Sequence, residues 1–293
     1  MRPGEEFSFD TEAGRITGLH WTASGSDAPK VLCVHGWMDN AASFLPLAQH
    51  LDGLDLYAID LPGHGHSDHR KAGVRYTFSE YIFDLDAVLE VLQWESVSLI
   101  GHSLGGGVIT AYAAAMPERI PRLVTLDGLG PFTTPESETS HQLRKSLEWV
   151  HRPRRPLRRY ASLDDMTKSR KEGGLLSISE PAARLISERA ARKEVDPDGE
   201  HFVWRTDPAL RWRSPVMLSE GQILNFLGEI RAPVLSFHAQ PFTKEHLQER
   251  VAKRQAAIRQ GTFRDVEGNH HFHMDEAARI APQIRAFIEE ERS

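Results

Sequence analysis

Gly101-His102-Ser103-Leu104-Gly105 stands between a short apolar run ending at Ile100 and an Ala-rich stretch with helical spacing, Gly105 to Met116. A G-x-S-x-G pentapeptide at a strand-to-helix junction reads as a nucleophile elbow, with the serine held in a strained backbone conformation above the sheet edge. The flanking glycines suit such a turn because a side chain at either position would crowd it. The helix that follows begins with amides that have no intrahelical acceptor, and Leu104 N–H is one of them. Acyl transfer to water is the chemistry this arrangement suggests.

Outward from the elbow, the same grammar repeats. Short buried-type runs occur at Val31–His35, Leu56–Asp60, Val97–Gly101, Leu123–Asp127, Val234–His238 and Thr262–Val266, with helical periodicity at Tyr81–Gln93 and Gly105–Met116. Strands alternating with helices predict an α/β fold with a mostly parallel sheet covered on both faces. Alternation at Glu5–Asp10 and Arg15–Trp21, around Glu12-Ala13-Gly14, predicts an N-terminal hairpin. Between about Gly130 and Leu227 the alternation gives way to amphipathic helix, proline and charge. The expected division is therefore a core of residues 1–130 and 228–293 with an α-helical cap, 131–227, inserted into it.

The chain has 293 residues, 40% of them hydrophobic, which suffices for a full core in one large domain. A formal charge of −6 offers no general attraction to nucleic acid or anionic lipid. The one cysteine, Cys33, excludes an internal disulfide and falls inside a buried-type run, where a thiol serves as a small hydrophobe. The start, Met1-Arg2-Pro3-Gly4-Glu5-Glu6, lacks an apolar signal core, and no segment has the ~20 apolar residues of a membrane span. A cytoplasmic protein without stable membrane insertion is expected, and a homodimer is left open. The steepest charge run, His151-Arg152-Pro153-Arg154-Arg155-Pro156-Leu157-Arg158-Arg159, reads as a solvated segment rather than an anion-binding lid.

Four elements now stand in one order: His35-Gly36-Trp37, Asp60-Leu61-Pro62-Gly63-His64-Gly65-His66-Ser67, the elbow, and Gly268-Asn269-His270. In that order they resemble the α/β-hydrolase fold superfamily over nearly the whole chain outside the cap, most of all its capped serine hydrolase-like branch. The resemblance implies a serine nucleophile, Ser103, and a histidine base near the C-terminus. Similar hydrolases begin an H-x-x-H-x-[DE] pattern with that base, and only His270 has His273 and Asp275 at those offsets. His271 is the rival base, and His273 reads as a loop anchor or pocket wall.

The acid departs from the commonest pattern. Many relatives carry an Asp just after the strand equivalent to Val234–His238, whereas the turn here, Ala239-Gln240-Pro241-Phe242-Thr243-Lys244, has no carboxylate. Some α/β-hydrolases place the acid one strand earlier, and Leu123-Val124-Thr125-Leu126-Asp127 ends in one. Asp127 is thus the expected acid. Glu245 lies farther along in a helical segment and substitutes poorly. Trp37 N–H and Leu104 N–H are the expected oxyanion donors. Trp37, His102, Phe132, Trp149, Trp212 and Phe272 are expected to line a largely apolar substrate pocket, and His35 and His64 to tie loops together.

His64-Gly65-His66-Ser67-Asp68-His69 also spells H-x-H-x-D-H, which resembles the dinuclear metal motif of the metallo-β-lactamase fold. That reading explains neither the elbow nor the late histidine, so no metal or other cofactor is expected. A noncatalytic binding protein on the same fold is a further alternative. An aspartate nucleophile, as in epoxide hydrolases and haloalkane dehalogenases, is excluded because position 103 is serine. The expectation is hydrolysis of a small-molecule carboxylic ester with a small or medium acyl group. Thioester and carbon–carbon bond cleavage are the alternatives on the same triad.

Overall fold

The computed structural model describes residues 2–23, 25, 27–150, 157–173, 176–197, 199–241 and 245–290. Among the described residues, ten strands alternate with helices: β1 (Glu5–Thr11), β2 (Gly14–Trp21), β3 (Lys30–Val34), α1 (Leu45–Ala48), β4 (Asp55–Ile59), α2 (Phe78–Leu92), β5 (Ser98–His102), α3 (Leu104–Ala115) and β6 (Leu123–Leu126), then α4 (Thr139–Val150), α5 (Leu163–Gly173), α6 (Glu180–Ala190), β7 (Ala191–Asp196), β8 (Gly199–Trp204), α7 (Glu220–Glu229), β9 (Val234–Gln240), α8 (Glu245–Ala257), β10 (Gly261–Glu267), α9 (Phe272–Asp275) and α10 (Ala277–Glu289).

Eight strands form one sheet in the order β1-β2-β4-β3-β5-β6-β9-β10. From β4 to β10 every neighbouring pair is parallel, while the β1–β2 hairpin adds antiparallel strands at one edge. Period-two alternation explains how both faces are filled. Along β3, Leu32 and Val34 enter the cluster under α2, α3 and α7, whereas Val31 and Cys33 enter the cluster under α1 and α10. Cys33 is fully buried, and burial pushes its thiol pKa up.

Strand order reverses between β3 and β5, since β4 lies on the far side of β3 and β6 on the far side of β5. In open α/β sheets the crevice beyond the carboxyl ends of the strands at such a switch point takes the ligand. The elbow leaves β5 at this place, and His35-Gly36-Trp37 leaves β3 beside it.

The segment between β6 and β9 carries α4, α5 and α6, and also an antiparallel pair, β7–β8, that the helical reading of this region did not anticipate. Its turn is Asp196-Pro197-Asp198-Gly199, a composition that closes hairpins; Asp198 lies outside the described residues, as do 151–156 of the basic run. The segment's last helix, α7, returns to the core, with Ile223 and Leu227 in the main cluster against α3. No helix among the described residues is long and apolar enough to cross a membrane.

A buried ion pair ties this segment to the sheet. Arg189, at the end of α6, donates from Nη2 to Asp60 Oδ2 at 2.7 Å and from Nε at 2.9 Å, and it also reaches Glu6. Asp60 is fully buried and accepts Ala41 and His66 N–H as well. Arg189→Met keeps the aliphatic volume but strands the carboxylate, so it should cost about 3–5 kcal/mol of stability. Urea unfolding measures this, and a loss within about 0.5 kcal/mol, the usual range for a surface substitution, would mean that the pair does not hold the segment.

Candidate active site

Ser103 adopts φ +50° and ψ −112° between the end of β5 and the start of α3. Among the described residues, Met38, Gln93, Ser103 and Asp127 are the non-glycine residues with positive φ, and all but Gln93 converge on the same end of the sheet. Backbone strain of this kind persists where the surroundings over-determine it. Here the close packing of glycines does so. A Cβ on Gly105 would fall 2.0 Å from the carbonyl oxygen of Val34, and one on Gly128 would fall 2.4 Å from the carbonyl oxygen of Ser103. Gly105 thus lets α3 start against β3, and Gly128 lets the turn after β6 press against the elbow.

That second contact brings Asp127 beside the serine's backbone. The Asp127 backbone N–H bonds Phe237 O at 2.8 Å, its Oδ1 accepts Ala239 N–H at 3.0 Å, and its Oδ2 lies 2.5 Å from His270 Nδ1. Burial alone would raise the Asp127 carboxyl, but its bonds to His270 and Ala239 hold it below the usual range. An ionised carboxylate accepts only, so His270 Nδ1 carries the proton and Nε2 keeps its lone pair. His270 itself is fixed by its neighbours: His102 Nε2 donates to His270 O at 2.9 Å, and Asn269 Oδ1 accepts His271 N–H at 2.7 Å. Asp275, last in the H-x-x-H-x-D pattern, accepts from Asn269 Nδ2 at 2.8 Å and Ser179 Oγ at 2.5 Å, which ties this loop to the start of α6. Among the described residues the Ser103 hydroxyl makes no hydrogen bond, and in enzymes without bound substrate the bond between nucleophile and base is often long.

Across the crevice, residues 35–39 are pinned from behind. His35 Nδ1 donates to Gly36 O at 2.8 Å and its Nε2 accepts Leu61 N–H at 3.0 Å; His64 Nδ1 donates to Pro62 O at 3.1 Å and its Nε2 accepts Met38 N–H at 3.2 Å. Both rings therefore act as loop ties, and burial with the neighbouring His35 lowers His64 to about 3. The Asp39 N–H closes the turn onto Gly36 O at 3.1 Å, and Trp37 N–H has no backbone acceptor among the described residues. Leu104 N–H, first in α3, has none within the helix.

Behind the serine and His270 lies a group that the sequence reading missed. Asp39 is completely buried; its Oδ1 accepts Arg170 Nη2 from α5 at 2.5 Å, and its Oδ2 lies 3.2 Å from both His102 Nδ1 and His271 Nε2. His102 is also fully buried, and burial lowers its pKa to about 4. His271, the rival base, is thus turned onto Asp39. Asp39 stands two residues after Trp37, a signal that was available; Arg170 lies 131 residues away and offers none.

The remaining expected residues do not all meet. His102 faces Asp39 and the backbone of His270 from full burial, so it is not a pocket wall. Phe272 is likewise fully buried, in the cluster with Phe44 and Leu47, because the first residue of α9 points into the core. Trp37 and Phe132 are exposed, with Arg250 over the Phe132 ring, and Trp149 and Trp212 are half-buried on the inserted segment, with Arg75 over the Trp212 ring. Residues 242–244 and the Glu245 side chain lie outside the described residues. The H-x-H-x-D-H residues disperse: His64 binds backbone, His66 faces Glu6, Asp68 accepts Arg15 N–H, and His69 donates to Arg205 O.

Comparison with known proteins adds three findings. The family description of the alpha/beta hydrolase fold matches residues 29–277. A serine hydrolase-like protein of Danio rerio is 30% identical over 98% of this chain and 89% of its own length, and a probable serine hydrolase of Drosophila melanogaster is 30% identical over 98% and 88%. Among solved structures, a hypothetical protein of Pseudomonas aeruginosa is 32% identical and superposes with a TM-score of 0.85 over 98% of this chain and 100% of that one.

Proposed function

Because this chain belongs to the α/β-hydrolase fold family, among its serine hydrolase-like members, we propose that it hydrolyses a carboxylic ester through an acyl-enzyme on Ser103, His270 and Asp127. The observation that carries this reading is the Asp127 Oδ2 to His270 Nδ1 contact of 2.5 Å, made by a turn that presses on the strained backbone of Ser103. It orients an imidazole lone pair as a base for a hydroxyl that is otherwise a weak nucleophile.

Ser103 Oγ attacks the ester carbonyl carbon and its proton passes to His270 Nε2, while Asp127 stabilises the imidazolium. The carbonyl oxygen becomes an oxyanion facing Trp37 N–H and Leu104 N–H, each such donor being worth about 3 kcal/mol of barrier. Collapse breaks the bond to the alkoxide, which leaves with the proton from His270. Water, deprotonated by the same imidazole, then cleaves the acyl-serine ester and restores the enzyme. The segment of α5 and α6, tied to the sheet through Arg170 and Arg189, bounds the acyl group and favours a small or medium chain.

The test is turnover on a panel of p-nitrophenyl esters of graded chain length, acyl thioesters and dienoic ketones. Short and medium esters should be the best substrates by kcat/KM. A preference of more than tenfold for thioesters or for the dienoic ketones would replace the ester reading with that chemistry on the same residues.

A further inference from the structure

The Asp39 cluster contains an unresolved match of hydrogen-bonding groups. His102 Nε2 approaches a backbone carbonyl, His270 O, at 2.9 Å, and a carbonyl only accepts. The neutral ring must therefore carry its proton on Nε2, which leaves a lone pair on Nδ1, 3.2 Å from Asp39 Oδ2. His271 repeats the pattern, with Nδ1 towards Ser177 O at 3.4 Å and Nε2 towards Asp39 Oδ2 at 3.2 Å. The His102 Nδ1 lone pair thus faces the Asp39 carboxylate in complete burial, with His271 Nε2 3.2 Å and 3.3 Å from the two carboxylate oxygens. His102 Nδ1 has no hydrogen-bond partner of acceptable geometry, and both ring nitrogens of the fully buried His273, whose ring lies 4.1 Å from that of His102, have none among the described residues.

A buried carboxylate facing an unpartnered ring nitrogen is relieved by a cation or a proton between them. Arg170 answers for Asp39 Oδ1 only. We infer that Asp39 Oδ2, His102 Nδ1 and His271 Nε2 bind one divalent transition-metal ion of the zinc type. All three ligand atoms lie within 4.8 Å of one another, and ligands of a tetrahedral zinc ion, each about 2.1 Å from it, stand about 3.4 Å apart. Two imidazoles and one carboxylate form a borderline donor set that suits zinc. The outer contacts are those that metal-bound histidines make, a backbone carbonyl on the far ring nitrogen, and the ligating carboxylate has its own hydrogen-bond partner in Arg170. The fourth position is left to a water.

The ion touches no reacting atom and is independent of which bond Ser103 cleaves. Its place is structural: it joins the loop after β3, the elbow residue His102 and the loop carrying His270, with α5 attached through Arg170. The H-x-H-x-D-H loop plays no part, since its residues are occupied elsewhere.

The full-length protein, stripped with a chelator and dialysed, is titrated with zinc chloride by calorimetry and with cobalt chloride by visible absorption. One ion per chain should bind, with a cobalt spectrum of low coordination number. His271→Gln and Asp39→Asn should each weaken binding by at least a hundredfold, whereas Ser103→Ala and a His66→Gln/His69→Gln double variant should bind as wild type does. Should either cluster variant fail to fold, X-ray absorption at the zinc edge of the wild-type protein should count two imidazoles. Absence of saturable binding, which would leave protons alone to neutralise the cluster, overturns the site. So does binding that survives both cluster variants or disappears in the double variant.

Discussion

Ser103→Ala should abolish covalent labelling by a fluorophosphonate and lower ester turnover by on the order of 10³ to 10⁶, because the residual rate then rests on the oxyanion donors and binding alone. Intact mass spectrometry should find one label on the wild-type chain and none on the variant. The substitution removes a single oxygen from a half-buried side chain that makes no hydrogen bond among the described residues, so the fold should be unaffected. The alanine also inherits φ +50°, a strain the native serine already bears. Labelling that persists in the variant, at whatever rate, would place the nucleophile elsewhere and sink the mechanism proposed above.

Asp127→Asn should retain the fold yet lose about four orders of magnitude in turnover if the histidine then holds the wrong tautomer. The native carboxylate accepts on both oxygens, from Ala239 N–H and from His270. An asparagine can satisfy the first and offers an N–H to the second, so His270 Nδ1 must accept and Nε2 becomes protonated and unable to take the serine's proton. Circular dichroism and the urea midpoint separate this from unfolding, and fluorophosphonate labelling should slow in step with turnover. A loss below about tenfold, far short of that four-decade cost, would show that another group orients the imidazole.

Much of this was legible in the chain because it is local. The run into Gly101-His102-Ser103 needs only neighbouring residues to define a strand, a turn and a helix, and the continuous apolar character of β3, β5 and β6 follows from burial on both faces of a parallel sheet. The resemblance to hydrolases that carry the acid one strand earlier, together with the missing carboxylate after β9, pointed to Asp127, which the fold brings to His270 across 143 residues. Helix α2 starts earlier than periodicity suggested, at Phe78 rather than Tyr81, because Ser79 and Glu80 interrupt the apolar pattern between them. The β7–β8 pair was missed for a related reason: Ala191-Arg192-Lys193-Glu194-Val195-Asp196 lies largely exposed and its charges obscure alternation.

By itself, then, the sequence determined the succession of strands that build the main sheet, the strained serine turn and the histidine loop, since backbone sterics and apolar periodicity act over a few residues. Tertiary structure alone decided which polar side chains share a buried space. It turned His271 onto Asp39 rather than towards the serine, buried Phe272 and His102 where pocket walls were expected, brought Arg170 from α5 onto a carboxylate beside β3, and scattered the histidines of residues 64–69, His64 and His69 onto separate backbone carbonyls and His66 onto Glu6. The reason is physical: a side chain's partner depends on where distant segments cross, and a buried charge or ring nitrogen takes whichever donor or acceptor that crossing supplies.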